Sequence, residues 1–268
     1  MSASKFSAAK IFFARALLLF LLPVCGAAQA QPPLRIAAAA DLQPVLPTLL
    51  AAFEKNSGVA ATASYASSAT LSTQILNGAP FDLFLAADTS FPQRVIAAGL
   101  AEQSAPSVYA HGTLVLWART DTLAQLHRAL TLQLLTDPAL ARIAIANPEH
   151  APYGRAARAA LHGLGVYSAV QSRLVFAENI AQAAQYAASG NAQLGLLSRT
   201  QAETPALRNV GTYIAIPQST YPPIAQGAII VKNSAQHAAA ESFLRWLLSP
   251  QGQALLQQGG LATTPAQK

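Results

Sequence analysis

From Leu34 onward, short apolar runs alternate with segments whose apolar positions recur every three or four residues, and these two periods predict strands and helices in turn. Residues 34–38 read as a first strand. Asp41 then caps a predicted helix on which Leu42, Val45, Leu46, Leu49 and Phe53 share a face, with Pro44 in its first turn, a bend expected at Pro47 and a stop before Gly58. A strand over 59–65 leads into a helix that starts at Ser67 or Ser68 and ends at Asn77-Gly78. Residues 81–86 form a third strand, a helix runs from Asp88 towards Gly99, and 112–118 is the next apolar strand. Further strands are expected over 142–146, 174–176, 194–197 and 227–231, with helices over 153–161, 180–188 and 235–248.

This alternation predicts an α/β fold with mainly parallel sheets flanked by helices. No Gly/Ser-rich linker interrupts it, so two lobes would be joined by ordered crossings acting as a hinge. Crossings near Ala110 and Pro222 divide the chain into a discontinuous lobe, 31–110 with 223–268, and a continuous lobe, 111–222.

The first thirty residues stand apart. Lys5, Lys10 and Arg15 precede an apolar stretch over 16–24, and Ala28-Gln29-Ala30 follows it, the pattern of an export signal cleaved after Ala30. The apolar stretch is short for a membrane span. Cys25, the only cysteine, lies within these thirty residues, and Pro23-Val24 before it disfavour lipidation, so the mature chain has neither a disulfide nor a thiolate metal site. Losing three basic residues lowers the formal charge from +6 to +3, because no acidic residue precedes Asp41. No Lys/Arg cluster is interleaved with aromatics, which excludes nucleic acid as a partner, while a mild positive charge favours the approach of an anion.

Four predicted strand-to-helix loops are candidates for holding one: Ala39-Ala40-Asp41, Ala66-Ser67-Ser68, Ala151-Pro152-Tyr153 and Glu178-Asn179-Ile180. A helix start carries unpaired N–H groups and the positive end of the macrodipole, and ligands of open α/β sheets gather at the carboxyl ends of strands. A Ser-Ser pair alone would be an ordinary helix cap. Its neighbours change that reading. The run Ile36 to Leu42, the stretch Tyr65-Ala66-Ser67-Ser68-Ala69-Thr70-Leu71 followed by Gly78-Ala79-Pro80-Phe81-Asp82-Leu83-Phe84, the loop Asn147-Pro148-Glu149-His150-Ala151-Pro152-Tyr153-Gly154, and Ala177-Glu178-Asn179-Ile180 together resemble the periplasmic molybdate-binding protein family over essentially the whole mature chain.

The resemblance implies a two-lobed periplasmic binding protein of the type II kind that closes on molybdate or tungstate and serves an inner-membrane ABC permease, as a monomer and without a cofactor. It implies that Ser68 donates its hydroxyl and N–H to the oxyanion, with N–H groups of Tyr153 and Ile180 from the other lobe. Any contact to molybdenum would be through the oxyanion, by these same residues. A donor-only site suits molybdate, which carries no proton at neutral pH, and sulfate would be rejected only by size. Two positions depart from the pattern. Asp41 stands where a Ser is usual, and its carboxylate is expected to turn back and cap its own helix while its N–H serves the ligand. Ser198 stands where some members have a Tyr that closes the site, and its shorter hydroxyl must reach directly or through water.

Other classes fit the residues less well. His111, His127, His150, His162 and His237 lack metal-ligand spacing. Tyr213 and Tyr221 raise ferric iron, and sulfate or phosphate are alternative anions on the same fold. A serine hydrolase would use Ser67 or Ser68 as nucleophile, but there is no Gly-x-Ser-x-Gly elbow and no evident His-carboxylate pair, so no catalysis is expected.

Overall fold

A computed structural model describes residues 32–263. The predicted export signal, with Cys25, lies outside the described residues. Two sheets form the molecule. The first contains β1 (Leu34–Ala39), β2 (Ala61–Ala66), β3 (Leu83–Ala86), β4 (Ser107–Gly112), β10 (Ile224–Ile230) and β11 (Ala262–Thr263), in the order β11-β4-β10-β3-β1-β2. The second contains β5 (Leu114–Arg119), β6 (Ile143–Ala146), β7 (Leu174–Ala177), β8 (Leu194–Ser198) and β9 (Gly211–Ala215), in the order β7-β6-β8-β5-β9. The chain passes from one sheet to the other at Thr113 and returns between Ala215 and Ile224.

Both sheets are mixed, not mainly parallel: two of five pairings are parallel in the first and two of four in the second. β1 pairs in parallel with β2 and β3, and β6 with β7 and β8, whereas β10 and β5 run antiparallel to both of their neighbours. The apolar pattern predicted burial correctly but carries no strand direction, which is set by where the chain re-enters a sheet. β4 and β9 lay outside the predicted strands because their mixed sequences lack a clean period.

Both faces of the first sheet are covered at its centre, which is why β1 and β3 read as nearly continuous apolar runs. Ile36, Ala38, Leu83, Leu85, Ala228 and Ile230 pack with helices Leu46–Ser57, His237–Leu247 and Pro250–Gln258. On the opposite face Ala37, Phe84, Ala86 and Ile229 meet Leu71 and Ile75 of helix Ser68–Leu76 and Phe91 and Val95 of helix Ser90–Ala97. The second sheet sits in one continuous core centred on Trp117, Leu116 and Ile145.

The helix expected from Asp41 starts instead at Leu46, after a 3-10 turn over Ala40–Leu42. Pro47 therefore falls in the first turn, where its missing N–H costs nothing, and no bend is required.

The first sheet has one buried ionic tie. Asp82, fully buried, accepts from Arg35 N at 2.8 Å, Arg35 Nε and Nη2 at 3.1 Å each, and Ser234 Oγ at 2.7 Å. Burial opposes its charge, but these donors outweigh burial and hold the carboxyl below its usual range. The resulting stability is complete above the unfolded carboxylate value near ~4 and is lost as pH falls through the lower folded value. Asp82→Ala should cost about 2–3 kcal/mol in urea unfolding at pH 7, with the gap from wild type narrowing in acid. A gap unchanged from pH 7 to pH 3 would show that charge pairing is not its source.

Candidate anion-binding site

Strand register assembles the site. β1 and β2 end side by side, Ala39 next to Ala66, and β6 and β7 end with Ala146 next to Ala177. Each of these strands leads into a helical start, namely the turn Ala40–Leu42 and the helices Ser68–Leu76, Pro152–Gly163 and Ile180–Ala188. Residues of all four loops, with Ala87, line one small cavity between the sheets. Gly154 permits the third helix to sit this close, since a Cβ there would lie 2.2 Å from the Ala146 carbonyl oxygen.

The loops touch across the cavity. Ala69 N–H donates to the His150 carbonyl at 3.2 Å, Thr70 Oγ1 donates to Glu178 Oε1 at 3.2 Å, and Gln201 Nε2 donates to the Ala40 carbonyl at 3.0 Å. Arg155 pairs with Asp88 across the same boundary while lying over the Phe91 ring. The His150 ring faces Glu178 at 3.3 Å, half-exposed at the rim.

A helix leaves its first amides without acceptors of its own, and here most of them find other partners. On Ser68–Leu76, Ala69 N–H is taken by His150, Thr70 N–H by Ser67 Oγ at 3.2 Å and Leu71 N–H by the Ser67 carbonyl at 3.0 Å. On Pro152–Gly163 the first residue has no N–H, and Gly154 and Arg155 both donate to the Ala151 carbonyl. On Ile180–Ala188 the Asn179 side chain and carbonyl take Gln182 and Ala183. Among the described residues this leaves the N–H groups of Ser68, Tyr153, Ile180 and Ala181 without a protein acceptor.

The two serines divide their work. Ser67 is a cap, whereas Ser68 Oγ accepts Ala87 N–H at 3.0 Å, which leaves the Ser68 hydroxyl hydrogen free to donate. Of the predicted site residues, Ser68, Tyr153, Ile180 and Asp41 line the cavity together. Ile180 buries its side chain in the core of the second sheet, so only its N–H is offered.

Ser198 is not among the lining residues. Its hydroxyl caps the short helix Arg199–Ala202 by accepting Gln201 N–H at 3.3 Å and bonds Thr200 Oγ1 at 2.9 Å. Too short to leave the strand end, it is satisfied locally.

Asp41 departs from expectation differently. It is fully buried and caps no α-helix; Oδ2 accepts from Gln226 Nε2 at 2.5 Å, the same Nε2 donates to the Tyr153 hydroxyl at 3.4 Å, and Oδ1 has no partner. Burial, only partly offset by Gln226, by its own N–H and by Tyr153, pushes its pKa up to about 7. Burial first, and then the Asp41 charge, push Tyr109 and Tyr153 well above the usual phenol range. Gly112 makes room for this cluster, since a Cβ there would lie 2.2 Å from the Tyr153 hydroxyl.

Two residues of this neighbourhood escaped the sequence analysis, Gln226 and Gln201. Gln226 had a signal, being the one polar side chain within the apolar strand Ile224–Ile230. Gln201 had none. The tyrosines considered for iron are engaged elsewhere: Tyr213 donates to Glu203, and Tyr221 Oη accepts Leu114 N–H at 3.1 Å.

Residues 34–262 match the family of bacterial extracellular solute-binding proteins. The chain is 36% identical over 213 residues to the molybdate-binding protein ModA of Rhodobacter capsulatus, covering 80% of this chain and 81% of that protein. It is 33% identical over 239 residues to ModA of Azotobacter vinelandii, covering 89% and 92%. The solved periplasmic molybdate-binding protein of Azotobacter vinelandii superposes with a TM-score of 0.79 at 33% identity, over 87% of this chain and 100% of that one. The sulfate-binding protein SubI of Mycobacterium tuberculosis H37Rv, with a TM-score of 0.72 at 17% identity over 87% of each chain, shares the fold alone.

Without ligand, Ser67→Ala should cost about 1 kcal/mol in denaturant unfolding through loss of the cap. Ser68→Ala should cost about 1–3 kcal/mol, because it strands the buried Ala87 N–H. A neutral Ser68→Ala would show that Ala87 does not depend on that hydroxyl.

Proposed function

The chain belongs to the bacterial extracellular solute-binding proteins and, within them, to the molybdate-binding proteins, and from that premise we propose that its inter-sheet cavity captures molybdate or tungstate for an ABC importer. It is a binding protein and not an enzyme. One observation carries the choice of an unprotonated oxyanion: amides of Ser68, Tyr153 and Ile180, from three helix starts on two sheets, meet unpaired in one cavity that no Lys or Arg lines. A ligand that only accepts hydrogen bonds and carries diffuse negative charge is what such donors suit. Each sheet supplies part of the set, so the anion is fully coordinated only in the closed arrangement, and binding favours closure.

The family supports a periplasmic location. Within this proposal the export signal over residues 1–30 is cleaved after Ala30, and the mature protein acts as a monomer that presents its loaded form to the inner-membrane permease.

Molybdate or tungstate at a thousandfold its dissociation constant should stabilise the protein by about 4 kcal/mol, read as a rise in Tm, while equal sulfate or phosphate leaves Tm nearly unchanged. A shift with sulfate and none with molybdate would replace the ligand. Ser68→Ala should weaken molybdate binding by roughly ten- to a hundredfold in calorimetry, the loss of a hydrogen bond to a charged acceptor. Unchanged affinity would limit Ser68 to its N–H.

A further inference from the structure

Asp41 is the only carboxylic acid lining the cavity, and its position conflicts with an anionic occupant. It is fully buried, makes no ion pair among the described residues, and has one oxygen, Oδ1, with no partner. The groups packed around it supply no cation. Gln226 from β10 is neutral, Tyr109 from β4 donates its hydroxyl to the Ala86 carbonyl at 3.2 Å, and Tyr153 enters from the helix Pro152–Gly163. Gln201, which reaches the neighbouring Ala40 carbonyl, is also neutral, and Ser67 and Ser68 complete the lining. Tyr109 and Tyr153 are thus the titratable groups that face it, and both stay protonated phenols near neutral pH.

An ionised Asp41 beside a bound dianion would place like charges together in a desolvated space, with an acceptor facing an acceptor. A protonated Asp41 removes the charge and turns an unpartnered oxygen into an O–H donor. Resting on the oxyanion reading of the cavity, we propose that Asp41 is neutral in the loaded protein, so that the site captures its oxyanion together with one proton and Asp41 serves as a proton-dependent ligand donor. The proton comes from solvent, bonds to the carboxylate and returns to solvent when the anion leaves; no other bond is made or broken.

In the empty cavity burial already pushes the Asp41 pKa up to about 7, and a dianion pushes it further. Well below that value the carboxyl is protonated with or without ligand, and affinity does not vary with pH. Above it each binding event takes up a proton, and affinity falls by up to about tenfold per pH unit until the loaded-state value is passed.

Titration calorimetry with sodium molybdate at pH 8, in buffers of differing ionisation enthalpy, counts the protons directly. Wild type should take up about half to one proton per molybdate, with affinity falling between pH 7 and pH 9. Asp41→Asn, which keeps a donor of similar shape, should bind molybdate with no proton uptake and a flat pH profile; Asp41→Ser serves the same purpose if the amide variant fails to fold. Tight molybdate binding by wild type without proton uptake would overturn this inference and leave the oxyanion reading standing. Uptake that persists in the variants would assign the proton to another group and also overturn it. No molybdate binding at any pH would overturn both.

Discussion

A helix cannot satisfy its own first amides, and the site depends on where this fold puts them. Parallel neighbours that end level, β1 with β2 and β6 with β7, bring two helical starts together on each sheet. Facing one another, the two pairs form a cavity whose walls are mostly backbone. Most early N–H groups are used by caps and by contacts across the cavity, and the few left over converge. Backbone donors are held by the helices behind them, so little reorganisation is needed when an anion arrives.

This construction does without cations. Arg155, on the helix Pro152–Gly163, is committed to Asp88 and to the Phe91 ring. Selectivity then rests on how many donors a ligand can satisfy and how well it fills the space, since there is no mobile charge to rearrange around a poor fit. The same lack of cations makes Asp41 conspicuous. Its neighbours are neutral hydrogen-bonding groups, so its burial is not repaid by pairing, and the balance between its charged and neutral forms is open to whatever occupies the cavity.

Closure has a matching economy. At the rim, Glu178 draws together His150, Ser67 and Thr70, but half-exposed pairs of this kind contribute little on their own. In the proposed function, a ligand that meets both sheets only when they are together supplies the remaining preference for the closed form.

Much of this was legible in the chain. The alternation of periods predicted two-sided burial and an α/β fold, because apolar spacing follows directly from the geometry of helices and strands. The motif around Ser68, the Pro152-Tyr153 loop and Asn179-Ile180 marked three helix starts that do line the cavity. A helix start was also expected at Ser67 or Ser68, and Ser67 caps it, a contact between residues only three apart. What remained hidden involved partners distant in sequence. Strand direction in each sheet was set by re-entry of the chain, not by its pattern. Ser198, standing where some family members have a Tyr, turned to its own helix, because reach from a strand end depends on side-chain length in three dimensions. The character of Asp41 belongs to Gln226, 185 residues away, and to Tyr153 and Tyr109 packed over it. The sequence determined which groups were present and their local caps; the tertiary structure alone decided which of them lost water together, and desolvation is what separates a solvated acid from a buried one near neutrality.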